Sequence, residues 1–167
     1  MITIKKQAGV GLMEVLVALL ILAIGVLGFV ALQYRAIEAS SEGENRIQAI
    51  NIARDVAEKI RVNRTALATY STELARTNIT ELTTPSCFST YCSPTQKAEF
   101  DSSFVKLSTQ RMGMTINMMT CPGIQNGRRC IYVAWGDTAA TNADGLNNCT
   151  TSGLYRADST CVVMEAY

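Results

Sequence analysis

A chain of 167 residues with a formal net charge of +1 and no histidine excludes several classes of function. Its 15 basic and 14 acidic side chains nearly balance, so the polybasic footprint of a nucleic-acid-binding protein is absent and no nucleic-acid partner is expected. Without histidine, neither a Ser/His/Asp triad nor a Cys/His dyad can be built, and no enzymatic activity is predicted. The length is enough for one membrane anchor and one globular domain.

The most informative segment is an uninterrupted apolar run from Val15 to Leu32, which carries no charged or strongly polar side chain. At about 1.5 Å per residue, a helix of this length spans roughly 27 Å, close to the hydrocarbon thickness of a bilayer. Glu14 stands at the edge of the run, where a carboxylate is costly in lipid and therefore indicates a functional partner. Lys5 and Lys6 precede the run, and short basic flanks stay cytoplasmic, so everything after Leu32 is expected outside the cytoplasm.

Two simpler interpretations of this segment are a cleaved secretory signal and a plain single-pass anchor. A secretory signal has an apolar core of about 7–15 residues followed by a small-x-small cleavage site. Here the apolar run is longer, and a helical pattern continues past it through residues 33–60. A plain anchor accounts for the apolar run but leaves Glu14 and the leader with Lys5, Lys6 and Gly9 unexplained.

Beyond the membrane run, the sequence predicts that the same helix continues to about residue 60. No proline occurs before Pro85, so nothing forces a break. Apolar residues recur every three or four positions and form one stripe that we expect to pack on the protein's own domain: Ile47, Ile50, Ala53, Val56 or Ala57, and Ile60.

A second helix is predicted after a loop region. Residues 62–92 are rich in Thr, Ser and Asn and are expected to form loop with short helical pieces. Ser93 can then cap a helix, Pro94 sits where its missing N–H costs nothing, and Gln96 can complete a capping box. The predicted helix covers about residues 94–110, with an inner face of Ala98, Phe104, Val105 and Leu107.

The remainder of the chain has a β pattern. Met114–Thr120 and Ile131–Trp135 flank Pro-Gly and Asn-Gly turn signals and are predicted to pair as a hairpin. Asp144-Gly145 and Ser152-Gly153 mark further turns, and residues 161–164 form a short final strand. A long helix followed by an antiparallel sheet is an α+β architecture.

All six cysteines fall in the part expected outside the cytoplasm. An even count in an oxidising compartment indicates disulfides. A zinc site is not expected, because the sequence has no Cys-x-x-Cys and no histidine. Six cysteines allow fifteen pairings. The pairing that closes the shortest loops across the turn regions is favoured, and the others stay open: Cys87–Cys92, Cys121–Cys130 and Cys149–Cys161.

Other residues that could carry chemistry show no comparable pattern. Carboxylate pairs are conceivable among Glu99, Asp101, Asp137 and Asp144, but their spacing does not support one. The segment 142–145 has a weak similarity to a calcium loop and lacks the flanking ligands and distal glutamate of an EF-hand, so a turn is favoured. No catalytic residue, metal ion or cofactor is predicted.

The N-terminal segment Gly9-Val10-Gly11-Leu12-Met13-Glu14-Val15 resembles that of type IV prepilins. In that family a peptidase on the cytoplasmic face cuts after the glycine and methylates the new N-terminal residue, and the fifth mature residue is a glutamate. The resemblance therefore implies leader cleavage between Gly9 and Val10 and N-methylation of Val10. It also implies that Glu14 forms an assembly salt bridge with an N-terminal amine.

The resemblance also implies a fold and a location. The expected fold is a pilin-like α+β structure, in which a long N-terminal helix packs on a C-terminal antiparallel sheet. Four segments are expected: a removed leader (1–9), a transmembrane and assembly half of the helix (10–33), an amphipathic half (34–62) and a disulfide-containing head (63–167). The subunit is expected to cross the inner membrane once, with its head in the periplasm, before it joins a pilus on the cell surface.

Within the family, residues 92–101 and 133–136 resemble the PilV minor pilins, although Phe104 stands near the position of a common tryptophan. This implies a subunit that primes pilus assembly and sits at or near the tip, supporting adhesion and motility. The implied partners are other minor pilins, the major pilin, the prepilin peptidase, the inner-membrane assembly platform and the lipid bilayer. Two alternatives stay open: a minor pseudopilin of a type II secretion system, usually shorter and poorer in cysteine, and a tip adhesin that binds a surface directly.

Overall fold

The computed structural model describes residues 11–77, 79–83, 85–123 and 126–166. The chain divides between Gly43 and Glu44 into two compact units, each treated by itself below. Within these residues, three α-helices and a short 3₁₀ turn precede six strands. The helices are α1 (Leu12–Val62), α2 (Leu67–Ala75) and α3 (Pro94–Arg111), with the 3₁₀ turn at Arg64–Ala66. The strands are β1 (Met114–Thr120), β2 (Arg129–Trp135), β3 (Ala139–Asn142), β4 (Asn148–Thr151), β5 (Leu154–Tyr155) and β6 (Cys161–Ala166).

The described part of the first unit, residues 11–43, is helical from Leu12 onward, and every side chain in it is exposed. Its apolar residues surround the helix on all sides, which is the pattern of a helix that is surrounded by lipid or by other helices. Among the described residues, α1 is the one helix long and apolar enough to cross a membrane.

In the second unit, the part of α1 from residue 44 onward buries one narrow stripe against the head. The stripe consists of Ala49, Ala53, Val56 and Ile60, so the predicted stripe is confirmed from residue 53 onward. It is wrong at Ile47, which is 62% exposed. Each residue turns the helix by about 100°, so Ile47 points well away from Ala53 and the stripe continues through Ala49 instead.

The short helical pieces expected in residues 62–92 are the 3₁₀ turn and α2. Ala66, Tyr70 and Leu74 follow one another at four-residue intervals and are all buried. This spacing places Tyr70 and Leu74 on one face of α2, with Ala66 at its N-cap, against the head core.

Helix α3 begins as predicted, with a cap formed by residues close in sequence. The Gln96 backbone N–H donates to the Ser93 hydroxyl (3.3 Å), and the Ser93 backbone N–H donates to the Gln96 side chain (3.0 Å), with Pro94 at the first helical position. The capping box is confirmed. The inner face is confirmed at Ala98 and Val105 and wrong at Phe104, which is 43% exposed.

The strands form two sheets. β1, β2 and β6 make an antiparallel sheet in that order, with Met114 opposite Trp135 and Ala134 opposite Cys161. In the smaller sheet, β3 pairs in parallel with β4, and β4 pairs antiparallel with β5 across a turn at Ser152 and Gly153. A Cβ at position 153 would lie only 3.0 Å from the Pro122 side chain. The φ angle of Gly153 is also positive, at 83°, a conformation that glycine adopts more readily than other residues.

Strand β2 lies between two core layers. Ile131, Val133 and Trp135 pack into the cluster that contains α1, α2 and α3. The alternate residues Tyr132 and Ala134 pack into a second cluster with the smaller sheet. Successive side chains of a strand point to opposite faces, so an uninterrupted apolar strand is buried on both sides. The α+β fold predicted from the sequence is confirmed.

Candidate functional site

The predicted processing site lies at the beginning of α1. Gly9 and Val10 fall outside the described residues, so leader cleavage and methylation stay predictions. Gly11 is described: its carbonyl accepts hydrogen bonds from the backbone N–H groups of Glu14 (2.9 Å) and Val15 (3.3 Å), which form the first turn.

Glu14 projects from this first turn, and its side chain is exposed. A carboxylate near a helix N-terminus is favoured by the helix dipole. Within the part of the chain that the structure describes, no ion pair joins it. A partner from another molecule therefore has access to this carboxylate.

The apolar surface that follows Glu14 is extensive. Leu27 and Leu32, for example, are 69% and 72% exposed. Burying one such side chain is worth about 1.5–3 kcal/mol. Residues 15–32 therefore require lipid or other apolar helices around them.

The structure brings the six cysteines together in three bonded pairs. Their Cα–Cα distances are 5.7 Å for Cys87–Cys92, 5.0 Å for Cys121–Cys130 and 5.8 Å for Cys149–Cys161. These are the pairs that short loop closure favoured. Of the three bonds, Cys121–Cys130 closes the β1–β2 hairpin, whereas Cys87–Cys92 closes a loop before α3. Cys149 lies in β4 and Cys161 in β6. That bond links the two sheets.

The Cys87–Cys92 loop displays aromatic side chains. We define the aromatic patch as Phe88, Tyr91 and Phe104, which are 73%, 94% and 43% exposed. The Phe88 ring packs edge-on against Phe104, with a centroid distance of 5.7 Å, and against the buried Phe100, at 4.9 Å. The disulfide and these ring contacts hold the patch on α3.

Helices α2 and α3 are joined by buried polar contacts that the sequence did not predict. The Tyr70 hydroxyl donates to Asp101 Oδ2 (2.9 Å), and Lys97 Nζ contacts Asp101 Oδ1 (2.5 Å). Lys106 Nζ donates to the carbonyl oxygens of Leu74 (2.8 Å) and Arg76 at the end of α2. The Lys106 amine thus caps α2 from the neighbouring helix.

Burial shifts the titration of both donors. The pKa of the Tyr70 hydroxyl is raised above its ordinary value by burial and then by the negative charge of Asp101. The pKa of the Lys106 amine is lowered, chiefly by burial. These groups are bonded to other protein groups, so their position indicates a structural role.

The other candidate residues from the sequence are not gathered into a site. The Asn142 side-chain oxygen accepts from the Thr150 hydroxyl (2.8 Å) and the Gly153 N–H (3.1 Å), so it stabilises the β4–β5 turn. Asp101 bonds Tyr70 and Lys97 and no second carboxylate. Among the described residues, no group of three His, Cys, Asp or Glu side chains is placed to hold a metal ion.

Two protein-family models match the chain. The prokaryotic N-terminal methylation motif covers residues 4–30, and the family described as type IV pilin Tt1218 covers residues 31–103. No curated protein and no solved structure matches the chain. Neither family match separates the PilV subfamily from other pilins, so that assignment stays a prediction.

The matches and the structure agree on the class of protein. The methylation motif implies processing by a prepilin peptidase, and the apolar helix fits a subunit that is anchored in the inner membrane and later assembled with other pilins into a pilus. Members of this family are structural proteins rather than enzymes. The matches to the methylation motif and to a type IV pilin family together support a type IV prepilin.

Proposed function

We propose that this protein is a minor type IV pilin that helps prime pilus assembly and sits at or near the pilus tip. The observation that supports an assembling pilin is the register of the N-terminal segment, and the minor role rests on the resemblance of residues 92–101 and 133–136 to PilV. Cleavage after Gly9 makes Glu14 the fifth mature residue, directly before the apolar run. We propose that Val10 becomes the methylated N-terminus, and that the mature chain consists of an assembly segment (10–33), an amphipathic segment (34–62) and a head (63–167).

The assembly step follows from the cost of a buried charge. After cleavage, the Val10 amine is a cation at the edge of the bilayer, and Glu14 is an exposed anion in the first turn of α1. Breaking a buried ion pair costs about 3–5 kcal/mol, because the remaining charge is left unpaired. In our proposal Glu14 pairs with the N-terminal amine of a neighbouring subunit, so the pair forms only in one axial register. The apolar side chains of residues 15–32 then pass from lipid to contacts with other helices.

In our proposal, the surface of the head distinguishes this subunit from the major pilin. Three disulfides and a two-layer core hold its loops in place. In the aromatic patch, Phe88 packs against Phe104, and all three side chains are exposed to solvent. The proposed partners are other minor pilins, the major pilin and the inner-membrane assembly platform.

Quantitative immunoblotting of sheared pili tests this proposal. We expect the protein in the pilus fraction at far lower abundance than the major subunit, and few pili in a deletion strain that still makes the major subunit. Normal piliation of the deletion strain contradicts a priming role. A secretion defect with normal pili in that strain supports a type II pseudopilin instead.

Direct surface binding is a second candidate function, favoured by the aromatic patch. Exposed aromatic side chains are enriched where proteins bind their partners. The test is adhesion of cells that carry Phe88→Ala together with Tyr91→Ala. Leu146→Ala is the control, because Leu146 is 77% exposed and lies in another loop. If piliation is normal and adhesion falls only in the patch variant, direct binding is supported; unchanged adhesion contradicts it.

A further inference from the structure

A cleft of about 380 Å³ lies between α1 and the edge strand β6. Arg46 and Ile50 of α1 form one wall, and Tyr155, Arg156, Ser159 and Val163 contribute to the other. All of these residues belong to the unit that begins at Glu44. The cleft includes neither the predicted processing site nor the aromatic patch.

The two arginines of the cleft differ in their partners. Arg156 donates to the Asp158 carboxylate through Nε (3.2 Å) and Nη2 (3.5 Å), so its charge is largely balanced. Arg46 is exposed, and among the described residues it makes no ion pair. The cleft therefore carries a positive charge without an internal counter-charge.

Tyr155 supplies a further donor. Its hydroxyl oxygen accepts a hydrogen bond from the Val163 backbone N–H (2.7 Å) on the outer edge of β6. The hydroxyl hydrogen then points away from that N–H and can be donated. No acceptor for it is found in the part of the chain that the structure describes. A guanidinium without a counter-charge and a phenolic hydroxyl thus line the same cleft.

We propose that this cleft binds a carboxylate side chain of a neighbouring pilin subunit. The argument is charge complementarity: Arg46 brings a cation without a counter-charge, and both its guanidinium and the Tyr155 hydroxyl can donate hydrogen bonds to carboxylate oxygens. The apolar wall at Ile50, which is partly buried, gives the stem of that side chain an apolar contact. This inference rests on the proposed function, and it names a contact between heads in addition to the pairing of Glu14.

Zero-length cross-linking tests the proposal directly. The variant Arg46→Lys keeps the positive charge and provides an amine that a water-soluble carbodiimide joins to a carboxylate in contact with it. Arg54→Lys is the matched control, because Arg54 is exposed on the same helix and does not line the cleft. We expect an amide bond from position 46 to an Asp or Glu of another pilin subunit, identified by mass spectrometry, and little or none from position 54.

Charge reversal supplies the second readout. Arg46→Glu places like charges together in the cleft, and we expect its amount in sheared pili to fall by about tenfold, while Arg54→Glu stays near wild type. Equal incorporation of the two variants overturns the proposal. Loss of Arg46→Glu without a carboxylate cross-link also overturns it, since the cleft then binds something else, such as a lipid phosphate.

Failure of this inference can be distinguished from failure of the proposed function. Absence of the wild-type protein from pili contradicts the proposed function. The cleft is then judged on cross-linking in membranes, where subunits meet before assembly: a position-46 cross-link to another pilin sustains the inference, and no such cross-link rejects it.

Discussion

The variant Tyr70→Phe removes a single buried hydroxyl and leaves the ring in place. Tyr70 and Asp101 are 1% and 5% exposed, and their hydrogen bond is 2.9 Å long. A hydrogen bond to an ionised group contributes about 1.5–3 kcal/mol, and without it Asp101 Oδ2 loses its partner while Oδ1 keeps Lys97. We therefore expect a loss of about 2 kcal/mol in the free energy of unfolding, which lowers the Tm by about 8 °C for a domain of this size.

The assay is thermal unfolding of the full chain in detergent, followed by near-ultraviolet circular dichroism. Tyr91→Phe is the matched control: the same hydroxyl is removed from a side chain that is 94% exposed, and a change within about 0.5 kcal/mol is expected. If both variants unfold at the wild-type temperature, the Tyr70–Asp101 bond does not stabilise the head and this reasoning is refuted.

The stabilisation that the Tyr70 hydroxyl contributes, measured as the difference between wild type and Tyr70→Phe, is predicted to depend on pH. The pKa of Tyr70 is higher in the folded protein than its ordinary value of 10.0. A group whose pKa is raised by folding contributes its stability below the unfolded pKa and loses it as the pH rises further. The difference in unfolding free energy between wild type and Tyr70→Phe should therefore be constant between about pH 7 and pH 9 and shrink above about pH 10. If this difference in unfolding free energy grows above pH 10, the predicted pH dependence is contradicted.

Three further predictions concern processing, assembly and covalent structure. Gly9→Val should obstruct the peptidase and leave full-length precursor on a gel; normal processing of this variant rules out the proposed cleavage site. Glu14→Ala should insert and be cleaved but be depleted from sheared pili, whereas Glu38→Ala, at an exposed glutamate of the same helix, should be incorporated normally; equal recovery of both counts against the pairing of Glu14. Non-reduced peptide mapping should recover Cys149 linked to Cys161, and a peptide joining Cys87 to Cys149 disproves the pairing.

Features that depend on neighbours in sequence could be predicted well. The Ser93–Gln96 capping box needs only residues three apart, and the stripe from Ala53 to Ile60 follows from helical periodicity. The three cysteine pairs that the structure joins are those separated by the shortest loops. For the candidate site, the residues Gly9, Val10 and Glu14 came from a local motif rather than from tertiary structure.

Features that depend on distant contacts could not be predicted. Helix α3 buries Asp101 and Lys106 because α2 packs beside it, and nothing in the spacing within α3 identifies that neighbour. The sequence pattern predicts Phe104 rather than Phe100 on the inner face of α3, whereas Phe100 is the more buried of the two. Both side chains are apolar, so only the packing of the folded chain decides which one faces inward. The parallel pairing of β3 with β4 and the cleft beside β6 likewise arise from tertiary structure.

Mass spectrometry of the N-terminal peptide from purified, sheared pili tests the central claim most directly. The claim is that the chain enters the pilus as a mature subunit that begins at the residue after Gly9. We predict a peptide that begins at Val10 and carries one methyl group on its amine, recovered from the pilus fraction. A pilus-associated protein that retains residues 1–9, or that begins at any other residue, contradicts the account.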